Sequence, residues 1–271
     1  MHTKWDVTTF VDLDDTLFSS KRRHAHTAEL QAAATLENGD VISYSSHKQR
    51  FLQDLLQQAG RVIPVTARNI DAYRRVMLRF EDQAVLSHGA TILRKEGNID
   101  LEWQAQVYQD VSPLSVEFDD LIRRIQLSPP FVRQEIRSWL VYDGDIPVYA
   151  VVKDNQRDEG RLTRYFEEHL SGWLGERCHF RLHANGNNLA ILPTKLSKES
   201  AVSYLMGEFR ETSPEMIFVG AGDSITDEPF MRLCDFAIVP QPSQLADFLK
   251  NAIDSLPSGE TLRSSSQGDP A

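Results

Sequence analysis

The stretch "FVDLDDTLF", from Phe10 to Phe18, places three aspartates between apolar residues. The residues that lead into it, 7–11, are all β-branched or aromatic, which is typical of a buried strand. Side chains at positions i and i+2 of an extended strand share a face. We therefore expect Asp12 and Asp14 to point at one ligand where this strand ends.

The segments that follow alternate between helix and strand patterns. The sequence "SSHKQRFLQDLLQQAG" (45–60) predicts a helix capped by Ser45 or Ser46, "RVIPVT" (61–66) predicts a strand, and residues 69–80 again have helical spacing. The first helix is predicted to bury one apolar face, formed by Phe51, Leu52, Leu55 and Leu56. Strands that alternate with helices are typical of a parallel sheet with helical crossovers.

The middle of the chain follows a different pattern. Helical patterns at 115–125 and 157–170 alternate with hairpin patterns at 138–152 and 178–192. Each hairpin pattern contains an Asp-Gly or Asn-Gly pair, which is the strongest short-range signal for a tight turn. Antiparallel pairs with helices predict a separate α+β layer over residues 96–187.

The parallel pattern resumes after this insertion, with a helix that begins near Ser197, two strands and a closing helix. We therefore predict an α/β fold with a discontinuous Rossmann-like core, 1–95 and 188–256, and an inserted α+β cap. The remaining residues, 257–271, are polar and are predicted to be disordered.

The composition excludes several classes of protein. The net charge of −10 disfavours binding to nucleic-acid backbones and to anionic membranes. The two cysteines, Cys178 and Cys234, form no ligand cluster and no disulfide framework. Without a signal peptide or a stretch long enough to span a bilayer, we expect a cytoplasmic protein. Nothing in the sequence indicates its oligomeric state.

Polar clusters follow three of the predicted core strands, where ligands of open parallel sheets gather. These clusters are Asp12 with Asp14, Thr66 with Arg68, and Asp223 with Asp227. Four carboxylates brought together would repel each other, and their pKa values would rise unless a cation lay among them. Mg²⁺ is the hard cation that usually accompanies phosphates, so we expect a magnesium site here.

This set of residues favours phosphoryl chemistry. One carboxylate of the first cluster can attack a phosphorus atom while the other protonates the departing oxygen. Thr66 offers a hydroxyl group to a phosphoryl oxygen. Lys198 offers a positive charge at a predicted helix start, where the helix dipole also favours an anion. Lys195 is the competing lysine, and we favour Lys198 because of its position at the helix start.

Four motifs, "DLDDTL", "VTAR", "LSKESAV" and "GDSITDEPFM", occur in this order. They resemble the four motifs of the haloacid dehalogenase superfamily of phosphohydrolases. The resemblance covers residues 1–95 and 188–255. The position of the insertion resembles the large α/β cap of the group that includes sucrose-phosphate phosphatase-like, mannosylphosphoglycerate phosphatase-like and Cof-like enzymes.

The resemblance implies a role for each motif residue. It implies that Asp12 is the nucleophile and touches Mg²⁺, and that Asp14 is the acid and then the base, with its backbone carbonyl on the metal. It further implies that Thr66 and Lys198 hold the phosphoryl oxygens. The remaining metal ligands implied by it are Asp223, directly, and Asp227, directly or through a water.

Three positions depart from the superfamily pattern: Asp15 and Ala67 stand where glycine is common, and His88 stands where capped relatives often have asparagine. His88 is therefore a candidate for substrate contact. Arg68 is a candidate either for substrate contact or for structural pairing. Asn185 and Asn188 are further candidates, because the second cap hairpin is expected near the mouth of the site.

The expected function is Mg²⁺-dependent hydrolysis of a small phosphorylated metabolite, such as a sugar phosphate, through an aspartyl-phosphate. An enclosing cap argues against large protein substrates. A phosphotransferase or phosphomutase would use the same intermediate and stays an alternative. A non-catalytic phosphometabolite-binding protein is disfavoured, because every expected reactive residue is present.

Overall fold

The computed structural model describes residues 6–25, 29–156, 158–185 and 187–255. The described strands, in chain order, are β1 (Val7–Val11), β2 (Ser19–Ser20), β3 (Leu30–Thr35), β4 (Val41–Ser46), β5 (Arg61–Pro64), β6 (Ala84–Leu86), β7 (Thr91–Leu93), β8 (Ile136–Asp143), β9 (Ile146–Asp154), β10 (Phe180–Asn185), β11 (Asn188–Pro193), β12 (Ile217–Ala221) and β13 (Phe236–Ile238). The described α-helices are α1 (His47–Ala59), α2 (Ile70–Arg74), α3 (Leu101–Val111), α4 (Ser115–Gln126), α5 (Pro129–Val132), α6 (Glu159–Tyr165), α7 (Ser171–Gly175), α8 (Lys198–Thr212), α9 (Glu228–Met231) and α10 (Gln244–Asp254). A π-helical turn, Phe166–Leu170, joins α6 to α7.

A four-stranded parallel sheet in the order β13-β12-β1-β5 forms the centre of the fold. Residue Val11 at the end of β1 pairs with Ala221 of β12 and with Pro64 of β5. The three strands therefore end at the same edge of the sheet. This parallel sheet confirms the predicted α/β class, and its edge is where the acidic motifs begin.

Helix α1 begins as predicted but buries a narrower face. Ser46 accepts a hydrogen bond from the backbone N–H of Gln49, and the Gln49 side chain accepts one from the backbone of Ser46, which completes a capping box. The predicted four-residue face is wrong, because Phe51 is 63% exposed while Leu56 is buried. Only the i, i+4 pair of leucines, Leu52 and Leu56, packs against the core. The second predicted helix, 69–80, is helical only over α2.

A second sheet, antiparallel and in the order β10-β11-β9-β8, contains both predicted cap hairpins. Asp143 pairs with Ile146 beside one turn, and Asn185 pairs with Asn188 beside the other. The predicted boundary between residues 187 and 188 cuts this sheet, because β11 pairs with both β10 and β9. A strand in mid-sheet satisfies its backbone groups on both sides, so β11 belongs to the cap sheet. The division of the chain into two domains stays a prediction.

Helices cover one face of this cap sheet. Phe118, Leu121 and Ile125 of α4 are buried, as their spacing predicted. Helix α3, which sequence analysis did not predict, buries Trp103 and Val107. The opposite face of the cap sheet looks toward the edge of the parallel sheet, where the Tyr149 hydroxyl donates a hydrogen bond to the Ala67 carbonyl at 3.2 Å.

A small antiparallel sheet, β2-β4-β3, lies directly after the aspartate motif and was not predicted. Its hairpin turns through Asn38 and Gly39, and Gly39 adopts a φ of 87°. Asn-Gly between two strand patterns is a hairpin signal that sequence analysis overlooked. We call this three-stranded sheet the flap. The predicted disorder of 257–271 concerns residues outside those described. Within the described ranges, no helix has the length and apolar character needed to cross a membrane.

Candidate active site

The edge of the parallel sheet holds a buried ionic network centred on Lys198. Its Nζ donates to Oδ1 of Asp12 at 2.6 Å and to Oδ1 of Asp227 at 2.7 Å. Asp12 and Asp227 are buried at 6% and 0% exposure. Burial alone would lower the pKa of Lys198, but the two carboxylates outweigh burial and raise that pKa. Lys198 therefore stays charged and links the first, third and fourth sequence motifs.

The start of α8 positions this lysine. Ser197 caps the helix, and its Oγ accepts a hydrogen bond from the backbone N–H of Ser200 at 3.0 Å. Gly89 adopts a φ of 99° and packs so closely that a Cβ there would lie 2.1 Å from the Ser197 carbonyl oxygen. Lys195, the competing lysine, is 69% exposed and pairs with Asp110 away from this network. The structure thus selects Lys198 as the lysine beside Asp12.

Burial raises the pKa of Asp12 well above its usual value, and repulsion from Asp227 adds to that rise. The attraction of Lys198 opposes both effects. A carboxylate in this position depends on nearby positive charge to remain ionised.

Asp14 points into the same cavity as Asp12 but has its own partner. The Arg68 guanidinium donates from Nε and Nη2 to the two carboxylate oxygens of Asp14, both at 2.7 Å. The backbone N–H of Arg68 donates to Oγ1 of buried Thr66 at 3.1 Å. Arg68 therefore fixes the carboxylate of Asp14 and the hydroxyl of Thr66 relative to each other. Of the two roles considered for Arg68, structural pairing is what the contacts show.

Asp223 and Asp227 occupy the loop after β12. The Thr16 hydroxyl donates to Oδ1 of Asp223 at 3.4 Å. Burial, assisted by Asp227 and Asp15, raises the pKa of Asp223 to about 7. Both oxygens of Asp227 are engaged, one by Lys198 and the other by the backbone N–H and hydroxyl of Ser224.

Oxygen atoms of Asp12, Asp223 and Asp227 lie within 4.8 Å of one another. Among the described residues, this cluster is the only group of three or more carboxylate, thiolate or imidazole side chains that close together. Clustered carboxylates suit a hard divalent cation, and the pKa values of Asp12 and Asp223 are both raised by burial in its absence. The predicted cation site therefore has a matching donor set, although the carboxylate of Asp14 lies outside it.

Two imidazoles line the cavity, whose volume is about 470 Å³: His88 from the turn between β6 and β7, and His183 from β10 of the cap sheet. The His88 ring makes edge contacts with His183 and Tyr149 at centroid separations of 5.1 and 5.2 Å. Burial lowers the pKa of His88 well below its usual value and lowers that of His183 to about 4. The cavity thus contains two neutral rings close to the charge of Lys198.

The backbone at His88 is unusual, since both Ser87 and His88 adopt left-handed φ angles of 51° and 58°. Their amides donate to the carbonyls of Arg68 and Thr66. A non-glycine residue in this region carries strain that the surrounding contacts must support. The strained turn holds the Thr66–Arg68 loop and also aims an imidazole into the cavity.

Arg181 lines the same cavity and was missed by sequence analysis. Its Nη2 donates to the Leu196 carbonyl at 2.8 Å, and burial lowers its pKa. The available signal was the period of two along β10, which places Arg181 on the face of His183.

Neither of the two cap asparagines that were predicted to contact substrate, Asn185 and Asn188, is found among the described side chains that line this cavity. Asn188 does not line it, and instead lines a neighbouring cavity of about 780 Å³ that also includes Asp14 and Arg68. Asn185 ends β10, but its side chain lies outside what the structure describes.

No family model and no curated protein matches this sequence. The fold is similar to that of the sucrose-phosphatase of Synechocystis sp. PCC6803, solved with sucrose and phosphate. The TM-score is 0.52 at 14% identity, over 92% of this chain and 98% of that one. The C-terminal domain of trehalose-6-phosphate phosphatase from C. albicans follows, with a TM-score of 0.49 at 14% identity, over 95% and 80% of the two chains. The likeness to the sucrose-phosphatase confirms the predicted α/β fold, a parallel-sheet core with an added antiparallel region.

Proposed function

We propose that this protein is a phosphoric monoester hydrolase that acts on a small phosphorylated metabolite of the sugar-phosphate class. The observation that carries the proposal is the Asp12–Lys198–Asp227 network, of which Asp12 and Lys198 line a cavity shared with Asp14 and Thr66. The fold likeness to a sucrose-phosphatase supports the same reaction class.

The proposed reaction begins when a carboxylate oxygen of Asp12 attacks the phosphorus atom and forms an aspartyl-phosphate. Lys198 offsets the negative charge of Asp12 and of the phosphoryl oxygens. Thr66 accepts from the Arg68 amide, so its own O–H remains to donate to a phosphoryl oxygen. Asp14 gives its proton to the departing alcohol oxygen, and the P–O bond to that alcohol breaks.

Hydrolysis completes the cycle. Asp14, now ionised, takes a proton from a water molecule that attacks the phosphorus atom, and the bond to Asp12 breaks to release inorganic phosphate. The bidentate contact with Arg68 holds Asp14 in place for both proton transfers.

A divalent cation, Mg²⁺ in our proposal, would be held by Asp12 and Asp223, with the Asp14 carbonyl as the resemblance implies. When bound it supplies positive charge that offsets the phosphoryl oxygens. Asp227 has both oxygens in other hydrogen bonds, so we assign it chiefly to positioning Lys198 and Ser224.

The proposal is tested by phosphate release from a panel of sugar and polyol phosphates with Mg²⁺. Asp12→Asn is expected to lower kcat by at least roughly 10³-fold, because the amide cannot form the covalent intermediate. EDTA should abolish the activity of the native chain. Comparable activity in the variant, with a circular dichroism spectrum like that of the native chain, would contradict the mechanism.

The alternative of phosphoryl transfer is separated in the same assay. An added alcohol acceptor should leave the yield of inorganic phosphate unchanged if water is the natural acceptor. A phosphotransferase would instead transfer the group and release correspondingly less phosphate.

A further inference from the structure

Arg181 is a cation of the cap sheet that lines the catalytic cavity without a carboxylate partner. Its Nη2 donates to the Leu196 carbonyl at 2.8 Å, and this is its only hydrogen bond within the described ranges. Across the same ranges no Asp or Glu forms an ion pair with it, and burial lowers its pKa with no carboxylate to oppose that effect. Because a guanidinium carries five N–H donors, most of the donors of Arg181 remain available to a ligand.

The alternation of side chains along β10 turns Arg181 toward the edge of the parallel sheet. Successive side chains of a strand point to opposite faces. Phe180, the preceding residue, packs against Phe118 of helix α4 at a centroid separation of 5.2 Å. Arg181 and His183 therefore lie on the face away from the cap helices, where the His183 ring contacts that of His88. This is the face that lines the catalytic cavity.

The hydrogen bond to Leu196 places the guanidinium beside the start of α8. Leu196 lies two residues before Lys198, whose Nζ donates to the proposed nucleophile Asp12 at 2.6 Å. The charges of Arg181 and Lys198 both lower the pKa of His183, as expected for two cations that lie close to the same ring. Arg181 is thus on the side of the cavity that holds the nucleophile.

Asp14 lies where the catalytic cavity meets the neighbouring cavity of about 780 Å³, because it lines both, whereas Arg181 lines only the catalytic cavity. In the proposed reaction Asp14 protonates the departing oxygen. The alcohol part of the substrate therefore begins beside Asp14, and the phosphoryl group lies beside Asp12. Arg181 is nearer to the phosphoryl group than to the alcohol in this arrangement.

The catalytic cavity has little other positive charge to offer a phosphate. Arg181 and Lys198 are the lysine and arginine side chains that line it in the described part of the chain. Lys198 already donates to Asp12 and to Asp227. A phosphate group carries about two negative charges at neutral pH, and a guanidinium matches its oxygens in a forked geometry. Arg181 is therefore the cation of this cavity that is free to meet a phosphate.

We propose that Arg181 donates hydrogen bonds to the phosphoryl oxygens of the substrate, so that the cap sheet takes part in the chemical step. This inference rests on the proposed function and adds a catalytic residue to it. Lys198 and Thr66 hold the phosphoryl group from the parallel sheet, and Arg181 holds it from the opposite side. Phosphoryl transfer depends mainly on positioning and on charge stabilisation of these oxygens, which is what Arg181 supplies.

The first test compares substrates that share the phosphoryl group and differ in the alcohol: p-nitrophenyl phosphate, glycerol 3-phosphate and glucose 6-phosphate. We expect Arg181→Gln to lower kcat/KM roughly 10- to 100-fold for each substrate that the native chain hydrolyses, since hydrogen bonds to charged groups are worth about that factor. Losses that differ by more than about tenfold between substrates would assign Arg181 to the alcohol part and overturn the inference.

Inorganic phosphate tests the same contact without any alcohol. In calorimetric titration with saturating Mg²⁺, we expect Arg181→Gln to bind phosphate roughly tenfold more weakly than the native chain. Arg181→Lys keeps the charge without the fork and should recover part of that affinity. Arg133→Gln is the control, because Arg133 is 58% exposed, pairs with Glu135 and lines neither cavity. An unchanged phosphate affinity in Arg181→Gln would overturn the inference.

Titration with Mg²⁺ alone separates a phosphoryl contact from a purely structural role. If Arg181 only held the Leu196 carbonyl, its loss would displace the start of α8, with Lys198 and Asp12, and would weaken Mg²⁺ binding. If Arg181 contacts the phosphoryl oxygens, the affinity of Arg181→Gln for Mg²⁺ should be unchanged or higher, since a nearby positive charge is gone. Affinities for Mg²⁺ and phosphate that fell together would make Arg181 a positioning residue and overturn the inference.

Failure of this inference and failure of the proposed function give different results. Hydrolysis that depends on Asp12 but is equally fast in the native chain and in Arg181→Gln would overturn the inference and leave the proposed function standing. A chain that hydrolyses no phosphate monoester at all would overturn the proposed function and, with it, this inference.

Discussion

Charged side chains are arranged differently at the edge of the parallel sheet and on the face of the cap sheet that is turned toward this edge. At the edge, the charged groups are already paired: buried Lys198 with two buried aspartates, and Arg68 with the half-exposed Asp14. On the cap face, Arg137 is exposed and lies beside Lys153 in register. Ion pairs at the edge hold a fixed geometry that chemistry requires, while the exposed Arg137 guanidinium on the cap face lies over the Trp139 ring. The difference teaches that burial and ion pairing fix the charges at the edge, whereas strand register places the charges on the cap face.

The largest expected effect comes from breaking the buried network with Lys198→Met. The change leaves Asp12 and Asp227 buried without their cation, which typically costs about 3–5 kcal/mol of the free energy of unfolding. We also expect kcat to fall at least roughly 10²-fold, because the charge that stabilises the phosphoryl oxygens is gone. Urea denaturation and steady-state kinetics measure the two effects.

Lys195→Met is the matched control, since it removes the same charge three residues away. Lys195 is 69% exposed, and its pair with Asp110 should be worth about 1 kcal/mol or less. Equal losses of stability in the two variants would show that burial does not distinguish the two lysines.

A smaller effect is expected from Arg68→Gln, which removes the fork that holds Asp14. We expect kcat to fall roughly 10- to 100-fold with little change in KM, because a proton donor held loosely spends less time in a productive position. The side chain of Asp14 is 45% exposed, so the free energy of unfolding should change by only about 1 kcal/mol. A raised KM with an unchanged kcat in this variant would indicate instead that Arg68 binds substrate.

Arg23→Gln is the control for this variant. Arg23 pairs with the adjacent Asp15 at 3.2 Å and is 54% exposed. We expect kcat to stay within about twofold of the native value, since Asp15 has no part in the proposed proton transfers.

The smallest expected effect concerns pH and the acidic cluster. Burial, with Asp227 and Asp15, raises the pKa of Asp223 to about 7, and a cation requires the ionised form. We therefore expect the apparent affinity for Mg²⁺ to fall roughly eightfold between pH 7.5 and pH 6. Calorimetric titration with Mg²⁺ measures it without reliance on activity. Asp223→Asn should reduce this pH dependence to the part that the raised pKa of Asp12 contributes, whereas Asp254→Asn, at an exposed position on α10, should leave it unchanged.

In the absence of the cation, the folding stability depends on pH in the opposite direction to the affinity for Mg²⁺. Between the usual pKa of 3.8 and about 7, folded Asp223 holds a proton that the unfolded chain has released. The contribution of Asp223 to the free energy of unfolding therefore decreases as pH rises through this window. A melting temperature that rose with pH in the native chain, and was insensitive to Asp223→Asn, would contradict the buried environment assigned to this carboxylate.

The sequence by itself determined the parts of the fold that depend on neighbouring residues. The strand before Asp12, the caps at Ser46 and Ser197 and the two cap hairpins follow from local patterns, and the structure has each of them. These features form where they are predicted because a capped helix end or a tight turn satisfies its own backbone groups within a few residues. The grouping of Asp12 with Asp223 also followed, since parallel strands bring their carboxyl ends to one edge.

Only the tertiary structure decided which charges meet. The sequence did not decide between Lys195 and Lys198, and packing placed Lys198 beside Asp12. Nor did it show whether Arg68 contacts substrate or a neighbouring side chain, and the structure pairs Arg68 with Asp14. The register of the cap hairpin was also decided by the tertiary structure. A hairpin without irregularity, counted from the pair Asp143 and Ile146, would place Arg137 opposite Val152. A bulge after Val141 places Arg137 opposite Lys153 instead. A shift of one residue exchanges the two faces of a strand, so the pairing of Arg137 with Lys153 depends on that bulge. Such long-range pairings are chosen by the balance of burial and charge over the whole fold, which no local pattern contains.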